Sequence, residues 1–143
     1  MRQAKRARAL ECDVTSRRLL RAVGNDGMRS GGYIQVITTT ASKEDARRIA
    51  DRLIAARLAA CVQIVGPISS IYRWQGNIER ASERLCVIKT RLSLYAQVEA
   101  LIRTLHPYDV PEILAVPVLA GNRDYLRWLN QELAGPKRQT RRR

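Results

Sequence analysis

The 143-residue sequence predicts an α+β fold with the element order β-α-β-β-α-β and one further helix near the C-terminal end. Segments rich in β-branched residues alternate with segments in which apolar residues recur at helical spacing. Between the two helical segments, two extended stretches flank a glycine turn, which predicts a long hairpin. This order is the split βαβ, or ferredoxin-like, arrangement, with both helices on one face of the sheet.

The first strand and helix are predicted from the residues that follow the N-terminal segment. YIQVITTT at 33–40 is rich in β-branched residues, which favour a strand. Ser42 with Asp45 three positions later is a variant of the helix-starting capping box. The apolar stripe of SKEDARRIADRLIAARLAA continues to Ala60, so we expect the helix to extend about that far.

The hairpin is predicted from CVQIVGPISSIYRW and IERASERLCVIKT, which are separated by Gln75-Gly76-Asn77. Gly66-Pro67 interrupts the first arm, so we expect a bulge or bend there.

The second half of the chain supplies a helix, a strand and a final helix. SLYAQVEALIRTLH has helical spacing, and Pro107 disfavours helical backbone at His106, so the helix should end there. EILAVPVLA is the last strand, at an edge or with a bulge because Pro117 has no N–H to donate. Asn122 then caps the third helix, NRDYLRWLNQEL.

The first strand is apolar on both faces. Ile34, Val36 and Ile37 do not alternate strictly with polar residues. Strands of that kind are buried on both sides, whereas two helices can cover only one face of the sheet. A partner subunit is therefore the predicted cover for the other face.

The formal net charge of +13 is concentrated at the two ends of the chain. Residues 1–32 carry eight Lys or Arg and three acids, and residues 134–143 carry five bases and no acid. We therefore predict a folded domain at 33–133 between two flexible basic tails, with no specific nucleic-acid partner. The first tail could instead be a transit peptide, or translation could begin at Met28.

Cysteine use and hydropathy bear on the location of the protein. The three cysteines, Cys12, Cys61 and Cys86, form no CxxC pair, which fits a reducing compartment and predicts a cytoplasmic protein. The longest apolar stretch is interrupted by Arg57 and is too short to span a bilayer.

The segment HPYDVPE at 106–112 contains the only histidine of the chain, followed by two prolines, a tyrosine and two carboxylates. His106 could bind copper or zinc together with Cys61 and Glu112, provided that these side chains converge. A lone histidine near carboxylates is more often structural than a ligand, and a cation is favoured at a helix end such as this one. The usual catalytic signatures are absent, so no enzymatic activity is predicted.

Five motifs together resemble the CutA divalent-cation tolerance family, over roughly residues 33–133. They are LAAC at 58–61, SIYRWQGNIE at 70–79, Lys89-Thr90, HPYDVPEI at 106–113 and DYLRWL at 124–129. The resemblance implies a tight homotrimer involved in divalent-cation tolerance, copper in particular, with weak cation binding. It implies no required cofactor and no catalytic activity.

The resemblance also implies candidate site residues. His106 and Cys61 match family positions, but Leu105 stands where some members have another histidine. Few soft ligands for copper or zinc are therefore available. Motif residues further suggest an inter-subunit cleft of mixed charge that suits a small anion; its candidate residues are Trp74, Lys89, Tyr108 and Asp109. A PII-like small-ligand sensor and a trimeric scaffold without ligand chemistry are the alternative functions.

Overall fold

A four-stranded antiparallel sheet forms the centre of the computed structural model, which describes residues 32–135. Most of the predicted tails lies outside the described residues, so the predictions of flexibility and of a Met28 start, and the domain boundaries, stay predictions. The elements, in chain order, are β1 (Tyr33–Thr40), α1 (Lys43–Ala55), β2 (Cys61–Trp74), β3 (Asn77–Arg91), a 3-10 turn (Leu92–Leu94), α2 (Tyr95–Leu105), β4 (Leu114–Pro117) and α3 (Arg123–Glu132).

The strands lie in the order β2-β3-β1-β4, and all three pairings are antiparallel. This is the α+β topology that the element order predicts. β4 is an edge strand, as Pro117 predicts, but it covers only four of the nine residues of EILAVPVLA. β2 is the other edge strand, and its far side is unpaired among the described residues.

The β2–β3 hairpin turns at Gln75 and Gly76, whose φ angles are 48° and 84°. Positive φ at both central residues is typical of the type I′ turn that suits twisted strands. The predicted irregularity at Gly66-Pro67 is present as a register shift between Val65 and Ile68. Glycine is required there, because Gly66 has φ 142° and an added Cβ would lie 2.9 Å from the Glu83 carbonyl oxygen.

The two predicted helix boundaries in the first half of the chain differ in outcome. The Ser42 hydroxyl accepts the Asp45 N–H at 3.0 Å, which confirms the predicted cap of α1. The prediction that α1 extends to about Ala60 is wrong, because the helix ends at Ala55. Arg57 takes the left-handed conformation at φ 56°, and the N–H groups of Leu58 and Ala59 both bond to the Leu53 carbonyl, closing the helix early.

The core lies between one face of the sheet and the first two helices. Alternate residues from 34 to 40 in β1 and from 86 to 90 in β3 are buried there, among them Val36, Cys86 and Ile88. They pack in one cluster with Ile49 and Leu53 of α1 and with α2. Burial raises the pKa of the Cys86 thiol to about 11, so this cysteine is an inert apolar residue of the core.

The opposite face of the sheet is apolar and incompletely covered. The strand registers place six apolar side chains there, and we call them the outer face: Ile37, Val65, Leu85, Val87, Leu114 and Val116. Val65 is 49% exposed, Leu114 55% and Val116 42%, although all three lie in the sheet. In β1, Val36 lies on the core face and Ile37 on the outer face, so the first strand is apolar on both faces as predicted.

Candidate functional site

The HPYDVPE segment begins where α2 ends. His106 has extended backbone, with φ −72° and ψ 134°, as expected for a residue before proline. Its side chain is 1% exposed and points at the end of β1. The Nε2–H group donates to the Thr39 carbonyl at 2.7 Å, and Nδ1 accepts the Tyr108 N–H at 3.1 Å.

These two contacts define the protonation state of His106. A carbonyl can only accept and a backbone N–H can only donate, so the ring is neutral with its proton on Nε2. Burial lowers the pKa of His106 below its usual 6.5, against the opposing influence of the Thr39 carbonyl and the nearby Asp45 and Glu83 carboxylates. His106 therefore joins the loop to β1 as a neutral residue.

Tyr108 extends the cluster to β3. Its hydroxyl donates to Glu83 Oε1 at 3.0 Å, and its ring centroid lies 4.9 Å from that of His106. Burial and the adjacent Glu83 carboxylate raise the pKa of Tyr108, so the phenol remains a donor. Glu83 is only 5% exposed, and Tyr108 is the partner that accounts for its burial.

Glu112 lies near the same end of β1, because the Thr39 hydroxyl donates to Glu112 Oε2 at a long 3.4 Å. We call these five residues the loop cluster: Thr39, Glu83, His106, Tyr108 and Glu112. Sequence reasoning missed Thr39 and Glu83, since only the strand register and the path of the loop bring them to His106. The one sequence feature that pointed to Glu83 was the presence of an acid within the strand segment ERASERLCVIKT.

The candidate metal ligands do not converge within one chain. Cys61 pairs with Lys89, which pairs with Gln35, and Gln35 is four residues from Thr39 along β1, roughly 13 Å away. Both nitrogens of His106 are already bonded. Within residues 32–135, no three His, Cys, Asp or Glu side chains are grouped so that they could hold a metal ion.

A divalent cation therefore does not fit His106, Cys61 and Glu112 of a single subunit. A site that draws ligands from several subunits stays a prediction.

The four predicted cleft residues lie in three separate places, because only Tyr108 and Asp109 are neighbours. Trp74 is next to the hairpin turn, Tyr108 is in the loop cluster and Asp109 is an exposed loop residue. Lys89 is six residues along β3 from Glu83, roughly 20 Å from the loop cluster. An inter-subunit cleft that joins them stays a prediction.

Lys89 has different neighbours, which sequence reasoning did not associate with it. Its ammonium lies 5.5 Å from the ring centroid of Tyr125 on α3, within cation–π range. The register places it opposite Gln35 on the same face of the sheet. The motif DYLRWL contains Tyr125, but sequence alone does not show that this ring lies next to Lys89. Only the packing of α3 on the sheet shows it.

The fold and the site together define a class of small α+β proteins. One sheet face is packed by the first two helices, the other keeps an exposed apolar surface beside α3, and a buried polar cluster joins a stiff loop to the sheet. Comparison with known proteins gives the family. The chain belongs to the CutA1 divalent ion tolerance protein family, whose model matches residues 34–132.

Two relatives illustrate the range of the similarity. The chain is 47% identical over 96 residues to the divalent-cation tolerance protein CutA of Thermus thermophilus, covering 67% of this chain and 93% of the relative. It is 44% identical over 96 residues to the chloroplastic protein CutA 1 of Oryza sativa, covering 67% of this chain but 54% of that protein. The match to the plant protein thus spans about half of its length.

Solved structures agree with these matches. The chain superposes on the Thermus thermophilus divalent cation tolerance protein with a TM-score of 0.70 at 44% identity, covering 71% of this chain and 99% of that one. The crystal structure of CutA1 from Oryza sativa gives a TM-score of 0.71 at 40% identity, with coverages of 73% and 95%.

No helix within residues 32–135 is long and apolar enough to cross a membrane. Relatives are described as chloroplastic in Oryza sativa and as periplasmic in Archaeoglobus fulgidus. The predicted cytoplasmic location of this chain therefore stays a prediction.

Proposed function

We propose that the chain works in divalent-cation tolerance as a homotrimer without catalytic activity, in the cytoplasm. Membership of the CutA1 family supports the cation role. The observation that carries the assembly is the outer face, because no element within residues 32–135 covers Val65, Leu114 and Val116. A monomer in water would leave this surface exposed.

The energetic argument favours association. Fully burying one Val or Leu side chain contributes about 1.5–3 kcal/mol. Three such side chains, each roughly half exposed, add up to a few kcal/mol per subunit, on the order of 3 kcal/mol. The distal hairpin adds further exposed apolar residues that a neighbouring subunit could cover: Ile71, Tyr72 and Ile78.

We propose that direct cation binding, by copper or zinc, is weak and uses donors from more than one subunit. His106 supports this view, because neither of its ring nitrogens has a free lone pair in the folded chain. Cys61 is only partly buried and stays available at the start of β2. A small-ligand sensor is the second candidate function, favoured by a cavity between the sheet and α3 that is lined in part by Gln35 and Lys89.

Multi-angle light scattering of the full chain tests the assembly. We expect a single species at three times the chain mass, and the same subunit number for residues 33–133 alone. A monomer at micromolar concentration would contradict the proposal.

Calorimetric titration with Cu(II) tests the cation role, with wild type compared with Cys61→Ser and with Cys86→Ser as the matched control. We expect weak binding that Cys61→Ser reduces and Cys86→Ser does not, because the Cys86 thiol is buried in the core. Binding that is equal in all three proteins would remove Cys61 from the set of ligands.

A further inference from the structure

A cavity of about 170 Å³ lies between the sheet and α3, away from the loop cluster. Its walls are mostly apolar and include Val118, Leu126 and Leu129. Polar groups come from Gln35 and Lys89 on the sheet and from Tyr125 on the helix. A mostly apolar pocket with a few convergent polar groups is the usual form of a small-molecule site.

Among the described residues that line the cavity, Lys89 is the only cation. It is partly buried in the middle of the sheet, between Cys61 and Gln35 in the strand register. Within residues 32–135 no carboxylate lies within 4.0 Å of its ammonium. The ammonium instead lies 5.5 Å from the ring centroid of Tyr125. A partly desolvated ammonium next to an apolar cavity favours an anionic ligand over a neutral or cationic one.

The volume limits the size of that ligand. A protein cavity of about 150 Å³ holds benzene. The cavity of about 170 Å³ therefore accommodates one ring, or a branched chain of similar bulk, but not a nucleotide. The Gln35 amide, directly across from Lys89, supplies a second donor for a carboxylate.

We propose that this cavity binds a small organic monocarboxylate. The carboxylate contacts the Lys89 ammonium and the Gln35 amide, and the apolar group lies against Leu126 and Leu129. This inference rests on the second candidate function, the small-ligand sensor, whose ligand class it names; it is independent of the proposed cation function and involves no residue of the loop cluster. For a ligand of this size we expect a dissociation constant on the order of 0.1–1 mM.

The test uses benzoate as the probe, with amide chemical shifts of the full-length protein as the readout. Benzamide is the neutral ligand of the same shape, and benzamidine is the cationic one. We expect saturable shifts that map to the cavity lining with benzoate, binding at least tenfold weaker with benzamide, and none with benzamidine.

Variants separate the cavity from general charge effects. Lys89→Met should weaken benzoate at least tenfold and leave benzamide unchanged. Lys43→Met, which removes the same charge from an exposed position at the start of α1, should leave benzoate binding unchanged. Gly121→Val should weaken both ligands, because a Cβ at Gly121 lies 3.1 Å from Leu126 Cδ2 and a larger side chain displaces Leu126.

Three results would overturn the inference. They are shifts that do not saturate with benzoate, shifts that map away from the cavity, and an equal loss of binding in Lys89→Met and Lys43→Met. If Lys89→Met loses the dispersed amide spectrum of a folded protein, Lys89→Gln takes its place with the same expected outcomes.

Discussion

His106 illustrates at the residue scale how hydrogen bonds limit chemistry. The ring donates to the Thr39 carbonyl and accepts from the Tyr108 N–H, so it is held as one neutral tautomer. Binding a metal through Nδ1 would break the bond from Tyr108, and binding through Nε2 would require loss of its proton. The folded subunit therefore favours the structural role of this histidine over the ligand role.

Acid should destabilise the protein through His106. Its pKa is 6.5 in the unfolded chain and lower in the folded one. The unfolded state thus binds a proton first, and stability falls as the pH drops through 6.5 towards the lowered folded value. Above about pH 7.5 the histidine contributes no pH dependence.

Urea unfolding at several pH values between 7.5 and 5, at one fixed protein concentration, measures this effect. His106→Gln keeps an amide donor for Thr39 but has no titrating group, so its stability should depend less on pH over that range. Identical pH dependence in wild type and His106→Gln would show that the histidine is not the titrating group.

Copper affinity separates the two roles of His106 directly. We expect folded His106→Gln to bind Cu(II) as wild type does at pH 7 in calorimetric titration, since neither ring nitrogen is available. A drop of tenfold or more would show that His106 is a ligand, and that the loop rearranges to release it.

The Tyr108 hydroxyl should stabilise the buried Glu83 carboxylate. Tyr108→Phe removes the 3.0 Å bond and leaves the carboxylate without its donor. Unsatisfied buried polar groups cost about 1–3 kcal/mol, so we expect a loss of that size in urea unfolding. Tyr72→Phe, at a tyrosine that is 42% exposed, is the control and should be close to neutral. Equal effects of the two changes would mean that the bond to Glu83 contributes nothing.

The candidate site could be predicted only in part from sequence. The prolines and the single histidine marked the loop, and its position after α2 followed from Pro107. The partners Thr39 and Glu83 lie 67 and 25 residues away in sequence from the groups they bind, so no local pattern identifies them. The same limit applies to Tyr125 over Lys89.

At the scale of elements, Arg57 joins the end of α1 to the end of α3. Its guanidinium donates to the carbonyls of Glu132 and Gln131, and its own carbonyl accepts the Ala134 N–H at 2.8 Å. A cation at the C-terminal end of a helix is favoured by the helix dipole. The left-handed backbone of Arg57 thus ends α1, and its hydrogen bonds hold the end of α3 in place.

Arg57→Ala should therefore lower stability and loosen α3. We expect a loss of about 1–3 kcal/mol in urea unfolding, because charge-assisted bonds are removed and the left-handed conformation remains unfavourable for alanine. Hydrogen exchange should accelerate in α3 more than in α1. Arg52→Ala, at an exposed arginine of the last turn of α1, is the control and should change neither quantity appreciably. Unchanged exchange in α3 of Arg57→Ala would contradict this role.

The elements themselves were largely predictable because each has a local cause. β-branched runs produced β1 and the hairpin, Ser42 and Asn122 cap their helices, and Pro107 ends α2. The end of α1 was not predictable from its apolar stripe. The alanines that continue the stripe are compatible with a helix. The chain nevertheless turns at Arg57, because the Ala60 N–H donates to the Lys89 carbonyl and β2 begins at the next residue.

At the scale of the whole molecule, the outer face is the feature that supports the proposed assembly. The first two helices bury one face of the sheet, while the outer face keeps two valines and one leucine about half exposed on β2 and β4. Sequence could show that the first strand is apolar on both sides, but only the register shows that one continuous surface results. The number of subunits rests on the family resemblance.

The oligomeric mass of Val116→Glu, measured by light scattering beside Ile54→Glu, tests this account most directly. Val116 lies on the outer face and is 42% exposed, and Ile54 lies on α1 and is 43% exposed, so each change adds the same charge at equal exposure. We expect Val116→Glu to dissociate to monomers at micromolar concentration, because the carboxylate would be buried unpaired in the interface. Ile54→Glu should keep the wild-type mass. A Val116→Glu protein that retains the wild-type mass would contradict the assignment of the outer face as the assembly surface.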